Sequence, residues 1–439
     1  MKKLLLITSL FLISFINLSQ EDFDKTKLDN YFDVLERNNK FMGSVAISKD
    51  GEIIYTKSVG FFDFKNNRRA NENSKYRIGS ISKTFTTVLV LKAVEENKIS
   101  LDQTIDQFFP IIENADKITI KHLLGHRSGI HNFTSDSTYF NWNTQAKTPK
   151  EMVKIIAKKE SDFEPGEKAQ YSNSNFVLLT YILQEIFEKT YSELLSQYIT
   201  TPIGLTNTYL GGKINTNNNE CYSYKFMERW ELEPETDMSI PLGAGGVVST
   251  PSDLVKFSNA LFGGKLLKKE SLDLMKTIEN NYGIGLFRIP FHLKKGYGHS
   301  GGIDGFNSIF INFSSKNISY ALVANGLNFN FNDISIAVLS AVYDKSYDIP
   351  EFKSAKVNIK DLDQYVGIYS SSEIPLKITI TKQEKKLIAQ ATGQPAFPLE
   401  ATGVDTFRYI NIKAVFLFNP QKNTMVLEQG GAEFLFSKE

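Results

Sequence analysis

Ser80 and Lys83 stand three residues apart in Ser80-Ile81-Ser82-Lys83, which opens a helical pattern over residues 80–96 with Phe85, Val88, Leu89 and Leu91 apolar. Positions three apart share a helix face, so the hydroxyl and the amine can meet. A serine is a weak nucleophile until a base takes its proton. A lysine serves as that base when burial or a neighbouring cation lowers its pKa. The N–H groups at the start of the helix also offer positive partial charge to a developing oxyanion. Taken alone, such a tetrapeptide is common and reads equally well as a solvated helix start.

Two further clusters have matching chemistry. Tyr171-Ser172-Asn173 follows Glu164-Pro165-Gly166 and precedes an apolar helix. A tyrosine beside a lysine can be held as phenolate or can relay a proton to a leaving group. The Asn173 amide can orient Lys83 and a substrate carbonyl. His299-Ser300-Gly301-Gly302 precedes a strand at residues 306–313. Small residues there let a substrate backbone lie close. The Gly302 N–H can be a second oxyanion donor beside that of Ser80, and His299 can tune the charge near Tyr171. Singly, these clusters read as a core tyrosine before a helix cap and as a glycine-rich turn.

In this order and separation the three clusters resemble the serine β-lactamase and D,D-peptidase (penicillin-binding-protein) superfamily, in its class C and D-stereospecific peptidase/esterase branch, whose motifs are S-x-x-K, Y-x-N and K-T-G or H-x-G. The stretches beginning at Tyr76, Ile118, Phe163 and Gly243 resemble the same family, over roughly residues 23–347. The resemblance implies acyl transfer. Ser80 is the nucleophile, Lys83 and Tyr171 handle its proton, Asn173 and the 299–302 cluster hold substrate and oxyanion, and no metal or organic cofactor takes part. It implies a D,D-carboxypeptidase or esterase type of enzyme acting on D-amino-acid peptides, amides or esters, some of them derived from the cell wall. A β-lactamase proper and a non-catalytic penicillin-recognising sensor remain alternatives. His299 stands where β-lactamases of this branch carry lysine, and histidine grips a substrate carboxylate less firmly.

The surrounding elements suit this arrangement. Residues 23–38 read as a helix, and residues 44–55 as a hairpin turning at Asp50-Gly51. Thr148-Pro149 and Thr250-Pro251 read as N-caps followed by Pro. Residues 176–187 and 334–343 read as helices, and 306–313 and 318–323 as strands. Strands early, helices in the middle, and strands plus a helix late predict an α/β domain whose antiparallel sheet joins both ends of the chain. From residue 351 to 439 short alternating runs, such as 376–381, 415–418 and 434–436, predict a small all-β domain. Gln364-Tyr365-Val366-Gly367-Ile368-Tyr369 resembles the opening of the lipocalin-like domain attached to some family members. Such a domain either shades the active site or only stabilises its neighbour.

Composition narrows the rest. The chain has 439 residues, 41% hydrophobic and 23% charged, with a net charge of +1. No basic field points to nucleic acid. Lys2 and Lys3 before an apolar run at residues 4–16 predict an export leader over residues 1–20, a 21–350 hydrolase domain after it, and a periplasmic or secreted product with no stable membrane span. Cys221 is the single cysteine, in a polar stretch away from the motifs, and reads as a bystander. His122 and His126 have the i, i+4 spacing of zinc ligands, but Leu123 and Leu124 stand where H-E-x-x-H needs its glutamate. The aromatic segment around Tyr139, Phe140 and Trp142 is a candidate cleft wall. The oligomeric state is left open.

Overall fold

The computed structural model describes residues 23–279, 282–352 and 359–439. The expected export leader lies outside the described residues.

The Asp50-Gly51 turn behaves as its residues dictate. Both have positive φ, 52° and 90°, and Lys49 pairs with Glu52 across it, as a two-residue hairpin requires. On its other side the strand Phe41–Lys49 pairs antiparallel with Ile318–Leu327, in register from Phe41↔Leu327 to Lys49↔Ile318. Phe306–Phe313, Lys294–Ile303 and Phe287–Phe291 continue the sheet outward. Early and late segments therefore share one antiparallel sheet.

Helices cover both of its faces. Tyr320, Leu322 and Ala324 pack with Leu28, Phe32, Ile334 and Val338 from the helices Lys25–Arg37 and Phe331–Val342. The alternate residues Ala321 and Val323 face the opposite core with Phe257 of the helix Pro251–Phe262. This period-two division explains why the Ile318–Leu327 strand is apolar nearly throughout.

Beyond that second face lies the helical region. The helix Ser82–Glu95 is buried at every position from Ser82 to Leu91. Phe85 stacks on Phe257 at 3.9 Å, and Thr86 Oγ1 lies 2.7 Å from the Tyr191 hydroxyl. The helix Asn173–Phe187 packs beside it, buried from Ser174 to Leu183. Two boundaries differ from expectation. Ser80 lies in a 3-10 turn, Gly79–Ile81, just before the α-helix, which starts at Ser82. Asn173 is the first residue of its helix rather than part of the preceding loop.

A hairpin of Tyr224–Phe226 and Trp230–Leu232 extends the main sheet through a parallel pairing of Tyr224 with Gly326. The C-terminal segment forms a nine-stranded antiparallel sheet. Its edge strands, Phe397–Pro398 and Glu400–Gly403, are separated in sequence only by Leu399, so the sheet curls into a nearly closed barrel. Tyr369, Ile380, Phe407, Met425 and Phe436 fill it. Lys40 pairs with Glu400, Lys413 with Asp333 at 2.8 Å, and Lys386 donates to the Met227 carbonyl at 2.9 Å. No helix among the described residues is long and apolar enough to cross a membrane.

Candidate active site

The turn carrying Ser80 is anchored on both sides. Before it, Tyr76 pairs with Ser249, and its buried hydroxyl lies 2.7 Å from Ser44 Oγ on the main sheet. After it, Ser82 Oγ donates to the Gly79 carbonyl at 2.7 Å and accepts the Val247 N–H at 3.0 Å. The strand Lys294–Ile303 closes on this turn through glycine. A Cβ on Gly301 would lie 2.1 Å from the Ile78 carbonyl oxygen and 2.9 Å from Ser80 N. One on Gly79, whose φ is +50°, would lie 2.8 Å from Gly302 N. Only residues without a side chain allow this approach. It sets the backbone of Ser80 against that of Gly301 and Gly302.

Lys83 is fully buried as the second residue of the helix. Its Nζ lies 3.1 Å from Ser80 Oγ, 2.7 Å from Asn173 Oδ1 and 2.7 Å from the Ala244 carbonyl oxygen. Burial holds its pKa well below the ordinary lysine value. In the neutral amine the two N–H bonds match the two carbonyl acceptors, and the remaining lone pair faces the Ser80 hydroxyl. Asn173 is oriented in turn. Its Nδ2 donates to Thr134 Oγ1 at 3.0 Å and to Asn132 Oδ1 at 3.3 Å. The carbonyl end is thereby left for Lys83.

The Tyr171 ring lies 4.9 Å from Lys83 Nζ, and its phenol is hydrogen-bonded to the Ser80 side chain. Burial raises its pKa, outweighing the Ser80 bond. This corrects the phenolate expectation, since the site keeps the proton on the oxygen. His126 packs its ring on Tyr171 at 4.4 Å and accepts the Ser172 N–H on Nδ1 at 3.2 Å. Its φ of 56° is a conformation that histidine tolerates better than most side chains.

His299 is buried, packs on Phe287 at 4.4 Å, and its Nδ1 lies 2.5 Å from the Ser300 carbonyl oxygen. A carbonyl can only accept, so Nδ1 carries the hydrogen. Burial, reinforced by Lys83, pushes its pKa down to about 3. Burial also lowers the His126 pKa, with Lys83 and then His299 adding to the effect. A low-dielectric site disfavours the charged form of all three basic groups. An uncharged His299 grips a carboxylate more weakly still than the replacement of lysine by histidine implies.

Ser80, Asn173 and Gly302 open onto one cleft of about 570 Å³. Phe133, Tyr139, Phe140 and Phe306 contribute aromatic surface to it, whereas Trp142 packs behind Tyr139 at 5.3 Å. Lys83, Tyr171 and His299 lie behind the cleft surface, and the Ser300 side chain is exposed on the strand. No residue lining this cleft comes from the barrel. The two candidate zinc ligands serve separate ends, for His122 caps its own helix through Thr119 while His126 holds Ser172.

Sequence reasoning missed four supports. Asn132 and Thr134 follow the quoted 118–129 stretch directly, and their polar run was the available signal. The Ala244 acceptor is a main-chain atom that side-chain identity does not reveal. Arg77 is charged yet buried, with Nη1 2.8 Å from Asp304 Oδ2 and 2.9 Å from the Thr236 carbonyl oxygen.

Known proteins share this architecture. A family model described as Beta-lactamase matches residues 33–344. A penicillin-binding protein of Bacillus subtilis (strain 168) is 24% identical over 445 residues, 92% of this chain and 97% of that one. A teichoic acid D-alanine hydrolase of Staphylococcus aureus (strain MRSA252) is 27% identical over 232 residues, which span 52% of this chain and 55% of that enzyme. The crystal structure of D-amino acid amidase from Ochrobactrum anthropi SV3, complexed with L-phenylalanine, superposes with a TM-score of 0.64 at 27% identity, over 72% of this chain and 99% of that one. Fold and matches together define a serine hydrolase. The family model spans more than half of the sequence, and the chain belongs to the beta-lactamase family.

Proposed function

We propose that the chain is an exported acyl-enzyme hydrolase of D-aminoacyl amides, esters or peptides, with Ser80 as nucleophile. The observation that carries this reading is the three-way setting of Lys83, whose Nζ lies within hydrogen-bond distance of Ser80 Oγ, Asn173 Oδ1 and the Ala244 carbonyl oxygen, so that a neutral amine engaged by the two carbonyls would turn its lone pair to Ser80. Nζ accepts the Ser80 proton as Oγ attacks the substrate carbonyl carbon. The oxyanion is met by the backbone N–H groups of Ser80 and Gly302, each worth roughly 3 kcal/mol of barrier. Tyr171 gives its phenolic proton to the departing nitrogen or oxygen and regains one from the Lys83 ammonium. Water then enters along the same relay, cleaves the ester on Ser80 and restores the starting protonation. Asn173 positions Lys83, and His126 positions Tyr171.

The relatives named as a D-amino acid amidase and a teichoic acid D-alanine hydrolase support this substrate class. Residues 21–350 and 351–439 are read as two domains, supported by their separate cores. A β-lactamase reading is weaker, because β-lactams carry a carboxylate. The neutral His299 offers it no cation, and no lysine or arginine lines the cleft.

Intact-protein mass spectrometry after exposure to a fluorophosphonate, and separately to a penicillin, tests the assignment. We expect one fluorophosphonate adduct on the wild type and none on Ser80→Ala. A folded wild type that gains no adduct from either reagent would overturn the catalytic reading in favour of a binding protein.

A further inference from the structure

The cleft has an uneven charge. Its charged lining residues are Glu233 and Asp304, both acidic. Asp304 is already matched. Oδ2 accepts Arg77 Nη1 at 2.8 Å, and Oδ1 accepts the Thr236 N–H at 3.0 Å and the Thr236 hydroxyl at 2.7 Å. Glu235 also leans on Arg77, at 3.2 Å. Glu233 has no such buried counter-cation. Its ion-pair partner is Lys225, 3.7 Å away with a side chain 56% exposed, and a pair of that kind contributes little.

Glu233 is also held in place. Its N–H donates to the Ser223 carbonyl at 2.9 Å. Its Cγ packs so closely on Gly305 that a Cβ there would lie 3.1 Å away. Pro234, which also lines the cleft, stiffens the following step. A fixed carboxylate on the wall of a partly desolvated cleft attracts a cation and repels a carboxylate.

We propose that Glu233 is a specificity residue that receives a free ammonium group of the substrate, selecting aminoacyl compounds with an unblocked amine over N-acylated or carboxylate-tailed ones. This deepens the hydrolase reading above and rests on the same cleft being the substrate site. The aromatic residues Phe133, Tyr139 and Phe140 remain for the apolar part of the acyl group.

Binding can be separated from turnover. In a Ser80→Ala background, calorimetry compares D-phenylalanine amide with its N-acetyl derivative, with and without Glu233→Gln. We expect the free amine to bind on the order of 10- to 100-fold more tightly, the range of one charge-assisted hydrogen bond. Glu233→Gln should remove that preference while leaving the N-acetyl compound unchanged. With Ser80 intact, Glu233→Gln should raise KM for D-alanine p-nitroanilide and leave fluorophosphonate labelling as in the wild type. A preference that survives Glu233→Gln, or an equal loss for both ligands, overturns the proposal. Ammonium-selective binding without any Ser80 labelling would uphold Glu233 and refute the hydrolase reading instead.

Discussion

The depressed basicity of His299 can be measured directly. Its ordinary pKa of 6.5 falls to about 3 in the folded chain, so between those values the unfolded chain binds a proton that the folded chain refuses. Stability linked to this group is present in full above pH 6.5. It is lost progressively as pH falls toward 3, at about 1.4 kcal/mol per pH unit. From pH 6.5 to pH 5 the loss is about 2 kcal/mol. His299→Asn keeps a donor for the Ser300 carbonyl and removes the titration. Urea unfolding of wild type and variant from pH 8 to pH 4.5 should give curves that converge or cross by that amount as the pH drops, since His126 shifts in the same direction but is present in both. Selective 13C labelling gives an independent readout. The chain has only five histidines, and the resonance missing from the variant should stay at its neutral position at pH 5. A His299 signal titrating near pH 6, with parallel stability curves, would refute the buried-neutral assignment and restore a charged imidazole to the cleft.

Other substitutions probe the remaining supports. Arg77→Met strands the buried Asp304 carboxylate and should lower the unfolding free energy by about 3–5 kcal/mol, read by urea titration at pH 7. Gly301→Ala drives a methyl into the Ile78 carbonyl and should slow fluorophosphonate labelling on the order of 100-fold. Gly302→Ala, whose Cβ would meet nothing closer than 3.9 Å, should fold normally, and equal effects at the two glycines would count against the close-approach argument. Tyr171→Phe should cost on the order of 100- to 10,000-fold in kcat. It should leave the alkaline limb of the rate profile in place, because the raised phenol pKa keeps that proton from being the one titrated.

Much of this was readable in the sequence because it resides in side-chain type and spacing. Ser80, Lys83, Tyr171 and Asn173 were legible as a candidate cluster, which the fold brings together, and the Asp50-Gly51 turn announced its hairpin. The alternation of Tyr320 with Ala321 and Val323 marks a strand but cannot say that both faces are covered. Partners brought together only by tertiary contact stayed hidden. The Ala244 carbonyl has no identity in the sequence. The burial of Arg77 is visible only once Asp304 and Thr236 close over it. The proton states of His299 and Tyr171 are not legible in the sequence, for one reason. Desolvation sets them, and the depth of burial is a property of the fold.

The hairpin Tyr224–Leu232 touches the barrel at one end, through Lys386 on the Met227 carbonyl and over the Phe226 ring, and leads into Glu233 and Pro234 of the cleft at the other. The hairpin thus joins the barrel to the wall of the candidate cleft as a lever joins its two ends, while Ser80 and Lys83 sit apart, on the turn Gly79–Ile81 and the buried helix Ser82–Glu95. A change where the barrel meets Met227 can therefore reach the cleft wall at Glu233 and Pro234 without passing through the turn that carries Ser80.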